Sequence, residues 1–282
     1  MTGRGERALV LGGGGLAGIA WLYGLLTGLA ETGVDLRRAD LVVGTSAGSS
    51  VGANVACGRD LEELYATQLA TGTGEVAASA GGALAWRMAR AALLGPRGAQ
   101  QVRARIGRMA LRADTVPEQE RLDIMASRLG GADWPAAPDL QVTAVDAHTG
   151  AFRTFGRDSG VTLTEAVAAS CAVPGVWPPV TALGTRWIDG GVRSMANADL
   201  AAGYDRVVVL APLTSGFGAM ARPVTQVEAL AASSAAVLVT PDAAARKAFG
   251  RNVLDPAGRP PSARAGRTQA AAVADGVRAV WG

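Results

Sequence analysis

Residues 39–50, "ADLVVGTSAGSS", put one serine, Ser46, on a bend between an apolar run and a run of small residues. An apolar run with no polar face reads as a strand buried on both sides, as in a parallel sheet. The small residues after it read as a helix that can lie very close to that sheet. A serine in G-x-S-x-G between a buried strand and a helix sits on a tight turn that exposes its hydroxyl. Side chains at Gly44 and Gly48 would crowd that turn. The N-terminal amides of the helix favour negative charge at the same spot. Ser46 is therefore a candidate nucleophile.

The same pattern occurs upstream. "RALVLGG" (7–13) reads as a buried strand, and "LAGIAWLYGLLTGLAETGVD" as a helix stopped at Gly33. Arg4 and Arg7 precede an uncharged stretch from Ala8 to Leu26, as in a signal peptide or membrane span. Consecutive glycines break that stretch, and each weakens a helix by roughly 0.8–1 kcal/mol relative to alanine. A strand, a glycine loop and a helix account for the same letters better. Gly13 to Gly18 also spells G-x-G-x-x-G, a dinucleotide fingerprint. That fingerprint expects an acid at the end of the next strand, where Gly44, Thr45 and Ser46 stand. The other reading is an oxyanion hole, since bare glycine amides can approach a substrate oxygen.

A serine nucleophile needs a base. The single histidine, His148, lies in "DAHTG" between two strands and reads as a solvated turn residue. Asp189 is the better candidate. It ends the strand "TRWID" and is followed by Gly190 and Gly191, which let another chain approach closely. A carboxylate is a weak base at its ordinary pKa near 4, and burial would strengthen it.

The rest of the chain alternates helices and strands. Residues 61 to about 129 are helical in pattern, and 140–156 read as two strands joined at Ala147–Gly150. "TLTEAVAASCAVPG" is a helix capped by Thr162 or Thr164. Residues 206–212 and 235–241 read as two more buried strands, and a last helix ends near Trp281. The expected fold is α/β, a layered fold with a mostly parallel central sheet flanked by helices. The expected organisation is one domain over 1–282. It has a core at about 8–212, a helical insertion or cap at about 60–130 and a C-terminal helical tail at about 220–282.

Composition narrows the function classes. Hydrophobic residues make up 49% and charged residues 18%, which argues against extended disorder. A net charge of +3 and 5% aromatic residues give no basis for nucleic-acid binding. Cys57 and Cys171 have no metal-ligand spacing with His148 and read as small buried hydrophobes in a reducing compartment.

"GGGGLAG", "GTSAG" and "DGG", in that order, resemble the patatin-like phospholipase family, and the resemblance extends to "CAVPGVWPPV". It implies a patatin fold and a Ser–Asp lipid acyl hydrolase that needs no metal or other cofactor. Ser46 then corresponds to the nucleophile and Asp189 to the base. Gly14, Gly15 and Ala17 fall at the oxyanion hole, and Gly13, Gly18, Gly44, Gly48, Gly190 and Gly191 are the motif glycines. One position departs from the family: Ala17 stands where Arg or Lys is usual. The alternatives are a carboxylesterase for other esters, a weakly active lipid-binding relative, or a nucleotide-binding α/β protein using the Gly-rich loop.

The expected partner is a lipid or ester substrate. Between Val76 and Ala113 the chain has seven arginines (87, 90, 97, 103, 105, 108 and 112) and no acid. Val102, Ile106 and Met109 share one helical face there. The segment reads as an amphipathic helix whose basic side contacts solvent or, more sharply, an anionic membrane. The expected location is cytoplasmic, with at most peripheral membrane contact.

Overall fold

The computed structural model describes residues 6–70, 98–214 and 221–282. The first motif unit folds as β1 (Arg7–Leu11) and α1 (Gly15–Glu31), and the second as β2 (Leu41–Gly44) and α2 (Ala47–Ala56). Next come α3 (Leu61–Leu69), α4 (Ala99–Ala110), α5 (Glu118–Leu129) and the hairpin β3 (Asp139–Asp146) with β4 (Phe152–Phe155). Then follow α6 (Leu163–Ser170), β5 (Val180–Ala182), β6 (Thr185–Asp189) and β7 (Arg206–Leu210). The described chain closes with α7 (Pro223–Leu230), β8 (Ala235–Val239), α8 (Ala243–Phe249) and α9 (Arg259–Trp281).

Among the described residues eight strands form one sheet in the order β5-β6-β3-β2-β1-β7-β8, with β4 also paired to β3. The pairs β3-β2, β2-β1, β1-β7 and β7-β8 are parallel. Strands β4 and β6 run antiparallel to β3. This is the α/β fold with a mostly parallel sheet that the alternating pattern implied.

The central strands are apolar throughout because both faces are covered. Leu9, Leu11 and Val42 belong to the core that takes in α1, α2 and α9. Their neighbours Ala8, Val10 and Val43 pack on the other face against Ala196, Ala198 and α7 residues Val227 and Leu230. Strand β8 departs from the expectation of full burial: only Val239 is buried in it. It is the edge strand, paired with β7 alone, so one of its sides faces no neighbour.

The C-terminal helix is built into the fold. A methyl group at Gly24 of α1 would lie 2.0 Å from the Ala263 carbonyl oxygen, and one at Gly266 of α9 would lie 2.3 Å from that of Trp21. The two helices thus touch backbone to backbone, and the Trp21 indole N–H donates to Gln269 across the contact. Helix α6 starts at Thr162, which forms a capping box with Glu165.

In α4, Ile106 is buried and Val102 and Met109 are half-buried against Val145 and Ile188, as the spacing predicted. The basic side of α4 and the turn after it is divided. Arg103 donates to the Gly150 carbonyl at 2.8 Å, whereas Arg108 and Arg112 are exposed. Arg87, Arg90 and Arg97 lie outside the described residues. No helix among the described residues is long and apolar enough to cross a membrane.

Candidate active site

Strand β3 is the common frame on which the candidate nucleophile and base are hung. Strand β2 ends at Gly44 opposite Val142, and β6 ends at Asp189 opposite Ala144. The two strand ends therefore lie two residues apart along β3. Residues that are 143 positions apart in sequence (189 minus 46) are brought together by register. Between them the Thr143 hydroxyl donates to Thr45 Oγ1 at 2.9 Å, and the Asn197 amide donates to the same oxygen at 3.0 Å.

Asp189 accepts the Gly191 amide at 2.7 Å. Burial raises the Asp189 pKa to about 7. The Ser46 hydroxyl lies close enough to the Asp189 carboxylate to pull its pKa down against that rise, as does the Gly191 amide. Asp189 is 5% exposed and Ser46 9% exposed, so the pair is nearly closed off from bulk water. Gly190 is required for this approach. A methyl group there would lie 2.1 Å from Thr143 Oγ1.

The turn that carries Ser46 is strained. Its φ is 52° and ψ −121°, a left-handed backbone that non-glycine residues rarely adopt. Several bonds hold it. The Ser46 amide donates to Ser170 Oγ at 2.9 Å, and the Ser46 carbonyl accepts the Ser49 hydroxyl at 2.7 Å and the Cys171 thiol at 3.2 Å. A methyl group at Gly48 would lie 1.9 Å from the Leu11 carbonyl oxygen, and one at Gly44 2.5 Å from Ser49 Cα. The two motif glycines thus let α2 sit on the ends of β1 and β2.

The Gly-rich turn lies beside it. A methyl group at Gly13 would lie 3.3 Å from Ser46 Cβ. The amides of this turn are divided between the fold and the site. Gly12 donates to Leu210, Gly13 to Met195 and Gly18 to Gly14. Gly14 and Gly15 donate to no carbonyl among the described residues, as befits the start of a helix. Ala17 corrects an expectation. Its amide donates to the Val253 carbonyl at 3.0 Å, so it is committed inside the fold and is not an oxyanion donor. The Ala17 side chain is fully buried.

A cavity of about 370 Å³ opens over Ser46. Leu16, Ile19, Ile124, Val173, Trp177 and Leu254 give it apolar walls, and Gly15 lines it too. Helix α5 contributes Glu120, Arg121, Asp123 and Arg128. The Arg121 guanidinium stacks 4.2 Å from the Trp177 ring centre.

His148 is exposed on the β3–β4 turn, its amide bonded to Asp146 at 2.7 Å. Cys171 is buried next to Ser46, and burial pushes its thiol pKa up. Cys57 is only partly buried, which corrects the reading of both cysteines as buried. It follows the last turn of α2, where its thiol reaches the Asp133 carbonyl. No three His, Cys, Asp or Glu side chains gather as a metal site among the described residues.

Sequence reasoning missed Ser170, Cys171, Asn197, Arg121 and Leu254. "ASCAVPG" held the only local signal: a serine and a cysteine at the end of a small-residue helix. Asn197 has a φ of 53°, a conformation that asparagine tolerates better than most residues, and bonds Gly190, Arg193 and Ser194 nearby in sequence, but the partner that ties it to the site, Thr45, is 152 residues away.

A search of curated proteins finds no match. Among solved structures, VipD from Legionella pneumophila is 14% identical, with a TM-score of 0.48 over 96% of this chain and 67% of that one. The type III effector protein ExoU is 15% identical, with a TM-score of 0.44 over 97% of this chain and 53% of that one. The chain thus spans about half the length of ExoU. The family model described as patatin-like phospholipase matches residues 9–202, which takes in the Gly-rich turn, Ser46 and Asp189. The chain belongs to the patatin-like phospholipase family.

Proposed function

We propose that the protein is a lipid acyl hydrolase that works through a Ser46–Asp189 dyad and an acyl-enzyme. The observation that carries this reading is the placement of Ser46 and the buried Asp189 carboxylate at neighbouring strand ends on β3, with a mostly apolar cavity over Ser46. Asp189 takes the Ser46 proton as Oγ attacks the ester carbonyl carbon. The carbonyl oxygen becomes an oxyanion and is received by the amides of Gly14 and Gly15. The tetrahedral intermediate then collapses. The C–O bond to the alcohol breaks, and the alcohol leaves with the proton held by Asp189. Water enters, gives its proton to Asp189 and attacks the acyl-enzyme. The carboxylic acid departs and Ser46 regains its proton.

A carboxylate with an ordinary pKa near 4 would be a poor base for a hydroxyl. Burial moves Asp189 to about 7, where the base is both ionised and strong enough at neutral pH. The exposed cations Arg108 and Arg112 support peripheral contact with anionic lipid. Replacing both by Gln is expected to weaken sedimentation with anionic vesicles. Unchanged sedimentation would remove that contact.

Labelling with a fluorophosphonate, read by intact mass, tests the dyad. Wild type and His148→Ala are expected to gain one adduct. Ser46→Ala is expected to gain none, and Asp189→Asn to react far more slowly. A wild type that does not label would overturn the reading.

A further inference from the structure

Residues 252–258, which join α8 to α9, lie outside the span matched by the family model yet reach into the site. They cross directly over the Gly-rich turn. The Val253 carbonyl accepts the Ala17 amide at 3.0 Å. A methyl group at Gly15 would meet the Val253 oxygen at 2.7 Å and Leu254 Cδ2 at 2.9 Å. The next side chain, Leu254, is 8% exposed and lines the same cavity as Ser46.

The segment is braced by its own turns. The Leu254 amide donates to Asn252 Oδ1 at 3.2 Å, the Asp255 amide to the Asn252 carbonyl at 3.1 Å, and the Ala257 amide to Asp255 Oδ1 at 2.9 Å. Beyond it, the buried Arg259 donates to Gln68 at 3.2 Å and to the Thr67 carbonyl at 2.8 Å. The close α1–α9 contact fixes the segment relative to the helix that starts at Gly15. Ala17 makes room for it. The Ala17 Cβ would lie 3.9 Å from a Cβ at Gly258, so a long side chain at 17 would run into this segment.

We propose that Leu254 is a specificity-determining residue of the site, held over Gly15 by the 252–258 strap, and that its bulk limits the length of acyl chain the cavity accepts. The proposal rests on the acyl-hydrolase reading above. Leu254 packs against the Cβ side of Gly15 and lines the Ser46 cavity with Leu16 and Ile19, so an acyl group held at Ser46 extends along the wall they form. One methylene more or less in an apolar pocket changes discrimination on the order of tenfold or more.

Labelling rates with a short-chain and a long-chain alkyl fluorophosphonate test this in wild type, Leu254→Ala, Leu254→Trp and Ser46→Ala. Leu254→Ala is expected to raise the long-to-short rate ratio on the order of tenfold, and Leu254→Trp to lower it. A variant that merely loosens the fold would slow both probes together and leave the ratio alone. If wild type labels at Ser46 but both variants keep the wild-type ratio, Leu254 has no such role and the dyad stands. If wild type does not label at all, the acyl-hydrolase reading falls and this proposal with it.

Discussion

The two strand-to-helix turns of the site do opposite things with the same topology. After β2, a non-glycine residue accepts a strained backbone, φ 52° at Ser46, so that its side chain projects into the cavity. After β1, glycines remove the side chains, so that backbone amides are what the turn presents. Glycine serves both turns but at different places. At Gly44 and Gly48 it lets a helix close on the sheet, and at Gly14 and Gly15 it lets Pro212 and the 252–258 segment pack against the turn. On the reading proposed above, one turn would offer side-chain chemistry and the other backbone chemistry.

The largest effect should come from breaking the first turn's chemistry. Ser46→Ala is expected to lower ester hydrolysis by on the order of 10⁴-fold or more, measured as kcat/KM. Its Tm should change little, because the bonds that hold the turn are made by the Ser46 backbone amide and carbonyl, which the substitution keeps. Breaking the geometry of the same turn should act on the fold instead. Gly48→Ala drives a methyl group into the Leu11 carbonyl and is expected to cost about 3 kcal/mol in urea denaturation.

A comparable loss at the second turn should appear in rate. Gly14→Ala places a methyl group 2.5 Å from Pro212 Cβ and 2.8 Å from Gly18 Cα, which displaces the turn. The expected result is a fall in kcat of on the order of 10²-fold, the typical effect of losing an oxyanion donor. A wild-type kcat in Gly14→Ala would show that the two turns do not act together.

The pH dependence sharpens the comparison further. Asp189 is protonated below about 7 in the folded chain and below about 4 when unfolded. Between these values the folded state holds the extra proton, so the Asp189 contribution to stability is full below pH 4. It is lost as pH rises to about 7. Asp189→Asn removes this dependence. Its stability relative to wild type should therefore rise by on the order of 2–3 kcal/mol from pH 5 to pH 8 in urea melts. For activity the sign is the reverse. The base works when ionised, so kcat/KM should climb through an inflection near pH 7. His148→Ala should give the smallest effect of all, leaving that inflection in place. A histidine-dependent inflection would reassign the base.

Much of this was legible in the letters. The apolar runs 8–11 and 41–43, each followed by glycine, specify buried parallel strands that end in tight turns, and 207–210 is a third buried run. Ser46 stands out because it lies just past such a strand, between Gly44 and Gly48, and Asp189 because it ends a short strand before Gly190 and Gly191. Ala17 was misjudged because position within a motif says nothing about where an amide points. Its partner, Val253, is more than two hundred residues away. Leu254 and Arg121 gave no sign for the same reason: their roles come from packing between elements remote in sequence.

The sequence by itself determined the α/β class, the two turns and the identity of the nucleophile and base candidates, because periodicity and glycine placement act locally. Tertiary structure alone decided that the end of β6, with Asp189, lies beside the end of β2, through the shared register on β3, and that His148 sits on an exposed turn. It also decided that Asp189 is buried deeply enough to shift its pKa, and that a segment near the C-terminus walls the cavity. Hydrogen-bond register, desolvation and helix packing depend on which distant residues share a space, and no local pattern carries that information.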